Sequence, residues 1–407
     1  MGNSSRHRSC DVGSDEGGGM KVLVFMTQFV QRGGAEKLGV ELAEGLNAHG
    51  IHTDILSQYS RGLAGVIDSE VELSQKGIPA VRYLDMDVHP SLGSSWAAAL
   101  RLRRLIQDQG YEIVETSSAM PTSIAAWAVR GTNARVVAGL HQVFRRDREN
   151  SRKHKLWRAS VRLNPDVRYY AISEYVAQAW IDYAGVSPNS VSVIYNGICD
   201  EAFKVAPDRP GVRAGLGIPE QAKLALFVGR LASYKGVDTV LEALGPISER
   251  HNLHILYAGW PDLNVEGTSH VLTSMKEMAE QAPWGDRVHY LGRRNDIPHI
   301  MAASDVLVHP ARMEGFGLVL VEALATGLPV VASDVEAIPE ILAGTHSAMV
   351  PPDDIAGFRD AVVRVLERPS AEAYRAAETG RLRAESFRST TRTDALISLF
   401  DQVVREH

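Results

Sequence analysis

Two glutamates, Glu314 and Glu322, stand eight residues apart around the turn Gly315-Phe316-Gly317. The apolar run 318–324 predicts a helix that stops at Gly327, with Pro329 just beyond it. Glu314 then lies at the mouth of a loop and Glu322 on the helix. Glycines ahead of a helix let its first backbone N–H groups, here those of residues up to Leu318, come close to a ligand. Those donors and the positive end of the helix dipole favour phosphate or hydroxyl oxygens. An ionised carboxylate only accepts hydrogen bonds, which suits it to the hydroxyls of a sugar or a ribose. Taken alone, the same pair also describes a solvated helix face.

Other residues have types suited to the same chemistry. The segment Gly229-Arg-Leu-Ala-Ser-Tyr-Lys-Gly236 places Arg230 and Lys235 five residues apart in one loop. Arginine grips phosphate oxygens in pairs and lysine acts as a point charge, so together they suit a diphosphate leaving group. Gly33-Gly34 sits between an apolar run and an amphipathic pattern beginning near Ala35, where bare backbone can approach a diphosphate or simply form a tight turn. It has neither the dinucleotide-binding nor the P-loop spacing. His141 ends one apolar run and Gly259 follows another. Arg293 and Arg294 lie where backbone groups nearby could meet a base. The cysteines, Cys10 and Cys199, form no disulfide framework, which fits a reducing cytoplasm, and no metal-ligand spacing is seen.

Positioning such residues requires strands that end at them. Short apolar runs at 22–26, 53–56, 113–116, 136–140, 169–172 and 191–194 predict one set of buried parallel strands. A second set is predicted at 223–228, 254–258, 288–291, 306–309 and 330–332, with helices such as 237–244 and 297–303 between them. The alternation predicts an α/β chain of two tandem doubly wound, Rossmann-like domains. They are joined near residues 196–210, where Asn196-Gly197 reads as a linker turn. The expected division is a leader at 1–19, a first domain at 20–200, a second at 201–388 and a terminal helix at 389–407. That helix carries Ala395, Leu396, Leu399, Phe400 and Val403 on one face. Ligands of open α/β sheets bind beyond the carboxyl ends of the strands. The glycines, His141, Arg230 and Glu314 all fall there, facing one interdomain cleft.

The 407 residues suit two cores. With 45% hydrophobic and 23% charged residues and a net charge of −6, the composition is that of a soluble protein and argues against nucleic-acid binding. Residues 1–19 are rich in Ser, Gly and Asp with no apolar core, so they read as a disordered leader, neither signal nor anchor. No run approaches the roughly 18 apolar residues that span a bilayer. The expected location is therefore the cytoplasm, with peripheral contact at the inner membrane face left open. Arg145, Arg146, Arg148, Arg152, Lys153, Lys155 and Arg158 form a basic stretch that is either a solvated face or a contact for an anionic acceptor or membrane, with Trp157 at that interface or in the core.

From Met20 onward the motifs, in their order, resemble the retaining glycosyltransferases of family 4. Glu314 and Glu322 match the family's Glu-x7-Glu, and Gly229 to Gly236 looks like its Gly-Arg-Leu-x(3)-Lys-Gly. Gly33-Gly34-Ala35-Glu36 is similar to its Gly-Gly-Ala-Glu, and Ser173-Glu174 with Ile194-Tyr-Asn-Gly-Ile198 to the run leaving the first domain. Two departures are Gln142 after His141 and Cys199 before Asp200. The resemblance implies a GT-B fold whose last helix crosses back onto the first domain. It implies transfer of a hexosyl or N-acetylhexosaminyl unit from a nucleoside-diphosphate sugar, UDP before GDP, to a hydroxyl acceptor. No cofactor or divalent metal is implied. Catalytic roles fall to His141 and Glu314. Donor contacts fall to Gly33, Gly34, Arg230, Lys235, Gly259, Arg293, Gly315, Phe316, Gly317, Leu318 and Glu322, the last on the ribose. Two alternatives are a non-catalytic nucleotide-sugar or partner-binding module and a sugar-nucleotide epimerase of the same fold. Acceptor, linkage and oligomeric state are not legible.

Overall fold

Two separate parallel sheets organise the chain. The computed structural model describes residues 19–28, 34–59, 73–74, 78, 81–86, 91–144, 152–206, 208–261 and 268–406. In the first sheet β1 (Lys21–Met26), β2 (His52–Tyr59), β3 (Val81–Met86), β4 (Ile113–Thr116), β5 (Arg135–Leu140), β6 (Arg168–Ala171) and β7 (Val191–Val193) are ordered β3-β2-β1-β4-β5-β6-β7. In the second, β8 (Lys223–Val228), β9 (Leu253–Ala258), β10 (Val288–Gly292), β11 (Val306–His309), β12 (Val330–Ser333) and β13 (Ala348–Val350) are ordered β10-β9-β8-β11-β12-β13. Every pairing within the two sheets is parallel. The strand order reverses between β1 and β4 and again between β8 and β11, where an open sheet leaves a crevice for a ligand.

The central strands are continuous apolar runs because helices cover both faces. Val22, Leu23, Val24 and Phe25 are fully buried, as are Leu224, Ala225, Leu226 and Phe227. Two edge strands, β3 and β13, were not expected from the sequence. Val-Arg-Tyr-Leu-Asp-Met mixes charged with apolar residues, and Ala-Met-Val is three residues long, so neither displays the buried-strand pattern.

The terminal helix Ser389–Arg405 lies under the first sheet. Its Leu396, Leu399, Phe400 and Val403 pack with Val22, Val24, Leu42 and Leu46. Each such side chain contributes roughly 1.5–3 kcal/mol on burial, enough to hold a helix that is remote in sequence. To reach it the chain crosses between domains twice, and the crossings pair: Ile198 N–H donates to Phe387 O at 2.9 Å and Ser389 N–H to Ile198 O at 2.9 Å. A Cβ on Gly197 would lie 2.6 Å from the Arg388 carbonyl oxygen, so the Asn196-Gly197 step is a backbone crossing as well as a turn.

Candidate active site

The loops after β8 and β11 close on one another through a glycine. Gly236 has φ 65°, and a Cβ there would lie 1.9 Å from the Pro310 carbonyl oxygen. Arg312 ties the same loops together. Its backbone N–H donates to Tyr234 O at 2.9 Å, and its guanidinium pairs with both oxygens of Asp238 at 3.0 and 2.9 Å and with Asp353 at 2.7 Å. So held, Lys235 Nζ reaches Glu314 Oε2 at 2.5 Å, and His309 Nε2 meets the same oxygen at 3.0 Å. The backbone N–H of Glu314 donates to Glu336 Oε2 at 2.7 Å.

This carboxylate is mostly stripped of water, its side chain 13% exposed. Burial pushes its pKa up, but Lys235 and His309 outweigh that and hold Glu314 well below the usual carboxylate range. Burial lowers the His309 pKa, only partly offset by Glu314, so the ring is neutral and meets the carboxylate through an Nε2–H donor. Gly317, at φ 84°, opens the helix Leu318–Thr326 without a side-chain cap, and Gly327, at φ 79°, closes it. The leading N–H groups of that helix are thereby available to an anionic or hydroxyl ligand.

The first domain meets these loops directly. Ser173 Oγ donates to Gly315 O at 3.0 Å, and a Cβ on Gly315 would lie 3.6 Å from Val143 Cγ2, two residues beyond His141. Glu340 accepts from the backbone N–H groups of Glu174 at 2.8 Å and Tyr175 at 3.3 Å, capping the helix Glu174–Ala184 from the other domain. Across the same gap, burial raises the Glu322 pKa, Lys37 on the helix Gly34–Ala48 pulls it part of the way back, and Glu41 raises it. His141, half-buried, is driven down to about pKa 3 by burial with a contribution from Arg392, and its Nε2 lies 3.3 Å from Tyr170 Oη.

Lys235, Glu314, Gly315 and Gly317 thus lie along one wall, with His141 and Glu322 facing the join. Phe316 is 3% exposed and packs on Tyr195 and Phe387, so only its backbone is offered to a ligand. Gly259 fits against the loop of Gly229, whose carbonyl oxygen would lie 1.7 Å from an added Cβ. Arg230 is exposed on that loop, and Arg293 stacks over the Trp260 ring at 5.2 Å while Arg294 pairs with Asp296. Gly33, like Arg145, Arg146 and Arg148, lies outside the described residues, and Gly34 begins its helix. One expectation for the basic stretch is corrected, and of the two readings of Trp157 the core one holds. Arg158 turns inward, donating to Tyr183 O at 2.6 Å, and Trp157 is core, edge-on to Trp180. Sequence reasoning missed His309, Glu336 and Trp260. His309 reads as a strand end, whereas Glu336 carries a signal only in three dimensions, a non-glycine residue at φ 50°.

Comparison with known proteins places this site in a family. Residues 32–202 match the family model described as Glycosyltransferase Family 4, and residues 208–383 match Glycosyl transferases group 1. The chain belongs to the family 4 glycosyltransferases and has their GT-B fold. It is 29% identical over 238 residues to the D-inositol 3-phosphate glycosyltransferase of Mycolicibacterium smegmatis, which is 58% of this chain and 52% of the relative. The lipopolysaccharide core biosynthesis mannosyltransferase LpsB of Rhizobium meliloti is 29% identical over 226 residues, 54% of this chain and 62% of the relative. The chain thus spans little more than half the length of these relatives. Among solved structures, Anabaena HepE in complex with UDP superposes with a TM-score of 0.81 at 22% identity, over 94% of this chain and 100% of that one. WaaG, a glycosyltransferase involved in lipopolysaccharide biosynthesis, does so with a TM-score of 0.71 at 20% identity, over 93% and 99%.

Proposed function

We propose that the protein transfers a hexosyl or N-acetylhexosaminyl unit, with retention of configuration and without a divalent metal, from a UDP-sugar to a hydroxyl of a small-molecule, natural-product or lipid-linked saccharide acceptor. The observation that carries this reading is the buried Lys235–Glu314–His309 cluster ahead of an uncapped helix N-terminus, opposite His141 of the other domain. Lys235 and Arg230 stabilise the diphosphate as its bond to the anomeric carbon breaks. Glu314 and the backbone N–H groups of Phe316 and Gly317 hold donor hydroxyls, and Glu322 accepts from the ribose. In front-face attack the departing phosphate oxygen takes the acceptor's proton, with His141 beside the oxocarbenium-like centre. UDP is favoured because HepE was solved with UDP and with UDP-glucose.

The test is a calorimetric titration with UDP, GDP and ADP in chelator, beside Glu322→Ala. Tight binding of UDP that is lost in the variant supports the donor site. Binding of none of the three overturns it. Sugar release from UDP-glucose without acceptor separates a live enzyme from a binding module.

Peripheral contact with an anionic membrane is the second part of the proposal, favoured by a specific surface. Trp96 and Trp127 are exposed and edge-on at 5.3 Å, and Arg130 lies 4.3 Å over Trp127 while donating to Leu163 O. Leu156 and Leu163 are exposed beside Lys155 and Arg162 on the helix Arg152–Leu163. Amphipathic rings ringed by cations suit a headgroup layer. Co-sedimentation with phosphatidylglycerol vesicles, absent with neutral ones and reduced by Trp96→Ala with Trp127→Ala, is the expected result. Equal recovery from both vesicle types removes this part.

A further inference from the structure

The first sheet holds a buried polar chain that the donor site does not account for. Glu115 on β4 and Tyr170 on β6 are separated by β5, yet Tyr170 Oη donates to Glu115 Oε1 at 2.7 Å. On β5, Val137 pairs with Glu115 and Gly139 pairs with Tyr170. A Cβ on Gly139 would lie 2.5 Å from Tyr170 Oη and 2.6 Å from His141 Nε2. The bare backbone of a strand-interior glycine is therefore the gap through which the phenol reaches over β5. The same hydroxyl lies 3.3 Å from His141 Nε2. Glu115 is 1% exposed and Tyr170 fully buried, while Arg392 of the terminal helix, 5% exposed, acts electrostatically on both, also as a hydrogen-bond donor toward the phenol, and donates to Leu38 O at 3.1 Å.

Proton placement along this chain is constrained. With Glu115 ionised, the Tyr170 proton points to the carboxylate, so toward His141 the phenol oxygen can act only as an acceptor. His141 is neutral, and must then carry its proton on Nε2, leaving Nδ1 as an acceptor. Nδ1 is buried and has no partner in the free protein. An unmet buried acceptor is costly and calls for a ligand donor.

We propose that Glu115, Tyr170 and the gap at Gly139 are positioning residues that hold His141 as its Nε2–H tautomer, so that Nδ1 accepts from a hydroxyl of the bound donor sugar. The role of the sugar rests on the proposed transferase reading; the tautomer does not. Burial raises the Glu115 pKa to about 7, with Tyr170 and Arg392, the groups facing it, pulling the other way. Below that pH a protonated Glu115 can donate to Tyr170, whose own proton then turns to His141 Nε2.

The deciding measurement is nitrogen-15 NMR of His141 in the donor-free protein, paired with kinetics. At pH 8 the wild type should show the Nε2–H tautomer. Tyr170→Phe and Glu115→Leu should lose it, with kcat reduced roughly ten- to a hundredfold, as for the partners that orient metal-ligating histidines. UDP affinity should stay within twofold. Glu115→Gln keeps an acceptor for Tyr170, so it should retain the tautomer and abolish the fall in kcat below about pH 7 expected of the wild type. An Nδ1–H tautomer in the wild type, or an unchanged tautomer in folded Tyr170→Phe, overturns the proposal. Failure to bind UDP would instead count against the transferase reading and leave the NMR result standing.

Discussion

A carboxylate stripped of most of its water stays ionised only where donors and cations meet it, and at Glu314 this falls to Lys235 and His309. Replacing Lys235 with Met leaves the charge uncompensated, so unfolding stability should fall by roughly 3 kcal/mol in urea titrations, with much of it restored by adding Glu314→Gln. Turnover should drop about a hundredfold or more, because the group proposed to stabilise the leaving diphosphate is gone. The pH dependence follows from the depressed pKa. The stability contributed by Glu314 is fully present above its unfolded pKa of about 4.3 and is lost as pH falls from there toward the folded value. Urea midpoints between pH 3 and 7 should therefore differ most between wild type and Glu314→Gln at neutral pH and begin to draw together below about pH 4. At this scale the sequence was informative about Glu314 and Lys235, whose types and loop positions suit phosphate and hydroxyl chemistry. It was silent on His309, because a histidine ending an apolar strand reads as packing.

Elements position these residues through close backbone approaches. Gly236 combines φ 65° with the carbonyl of Pro310 where a side chain would go. Gly236→Ala should push the β8 and β11 loops apart, separating Lys235 from Glu314, and weaken UDP binding by at least tenfold in a calorimetric titration. The terminal helix acts over a longer range. Phe400 is fully buried against the first sheet, so Phe400→Ala should lower stability by about 3–5 kcal/mol, measured by chemical denaturation. Most elements were legible, since buried parallel strands are apolar runs and Gly327 stops its helix in the left-handed conformation it favours. The edge strands β3 and β13 were not, because Val81–Met86 mixes charged with apolar residues and Ala348–Val350 is only three residues long. The passage of Tyr170 across Gly139 was equally hidden, since it depends on β4, β5 and β6 lying side by side.

For the whole molecule, closure of the cleft rests on groups that reach between domains. Glu340 caps the helix Glu174–Ala184 of the other domain, and Ser173 bonds Gly315. Removing the cap with Glu340→Ala should open the free protein, seen as a larger radius of gyration by small-angle scattering, and UDP should restore much of the wild-type value. An unchanged radius would assign closure to the remaining links, the Ser173–Gly315 bond and the paired crossings at Ile198 and Arg388. Hydrophobic runs, glycine turns and charge placement are local properties of the chain, and they determined the two α/β domains, the loops that follow their strands and the residues proposed for a sugar nucleotide. Only the tertiary structure decided which of these share an atom. Lys235 and Glu314 meet across 79 residues, and Arg392 reaches the neighbourhood of His141 from the far end of the chain. Such contacts follow from strand order and domain crossing, which bring distant segments together without leaving a spacing in the sequence.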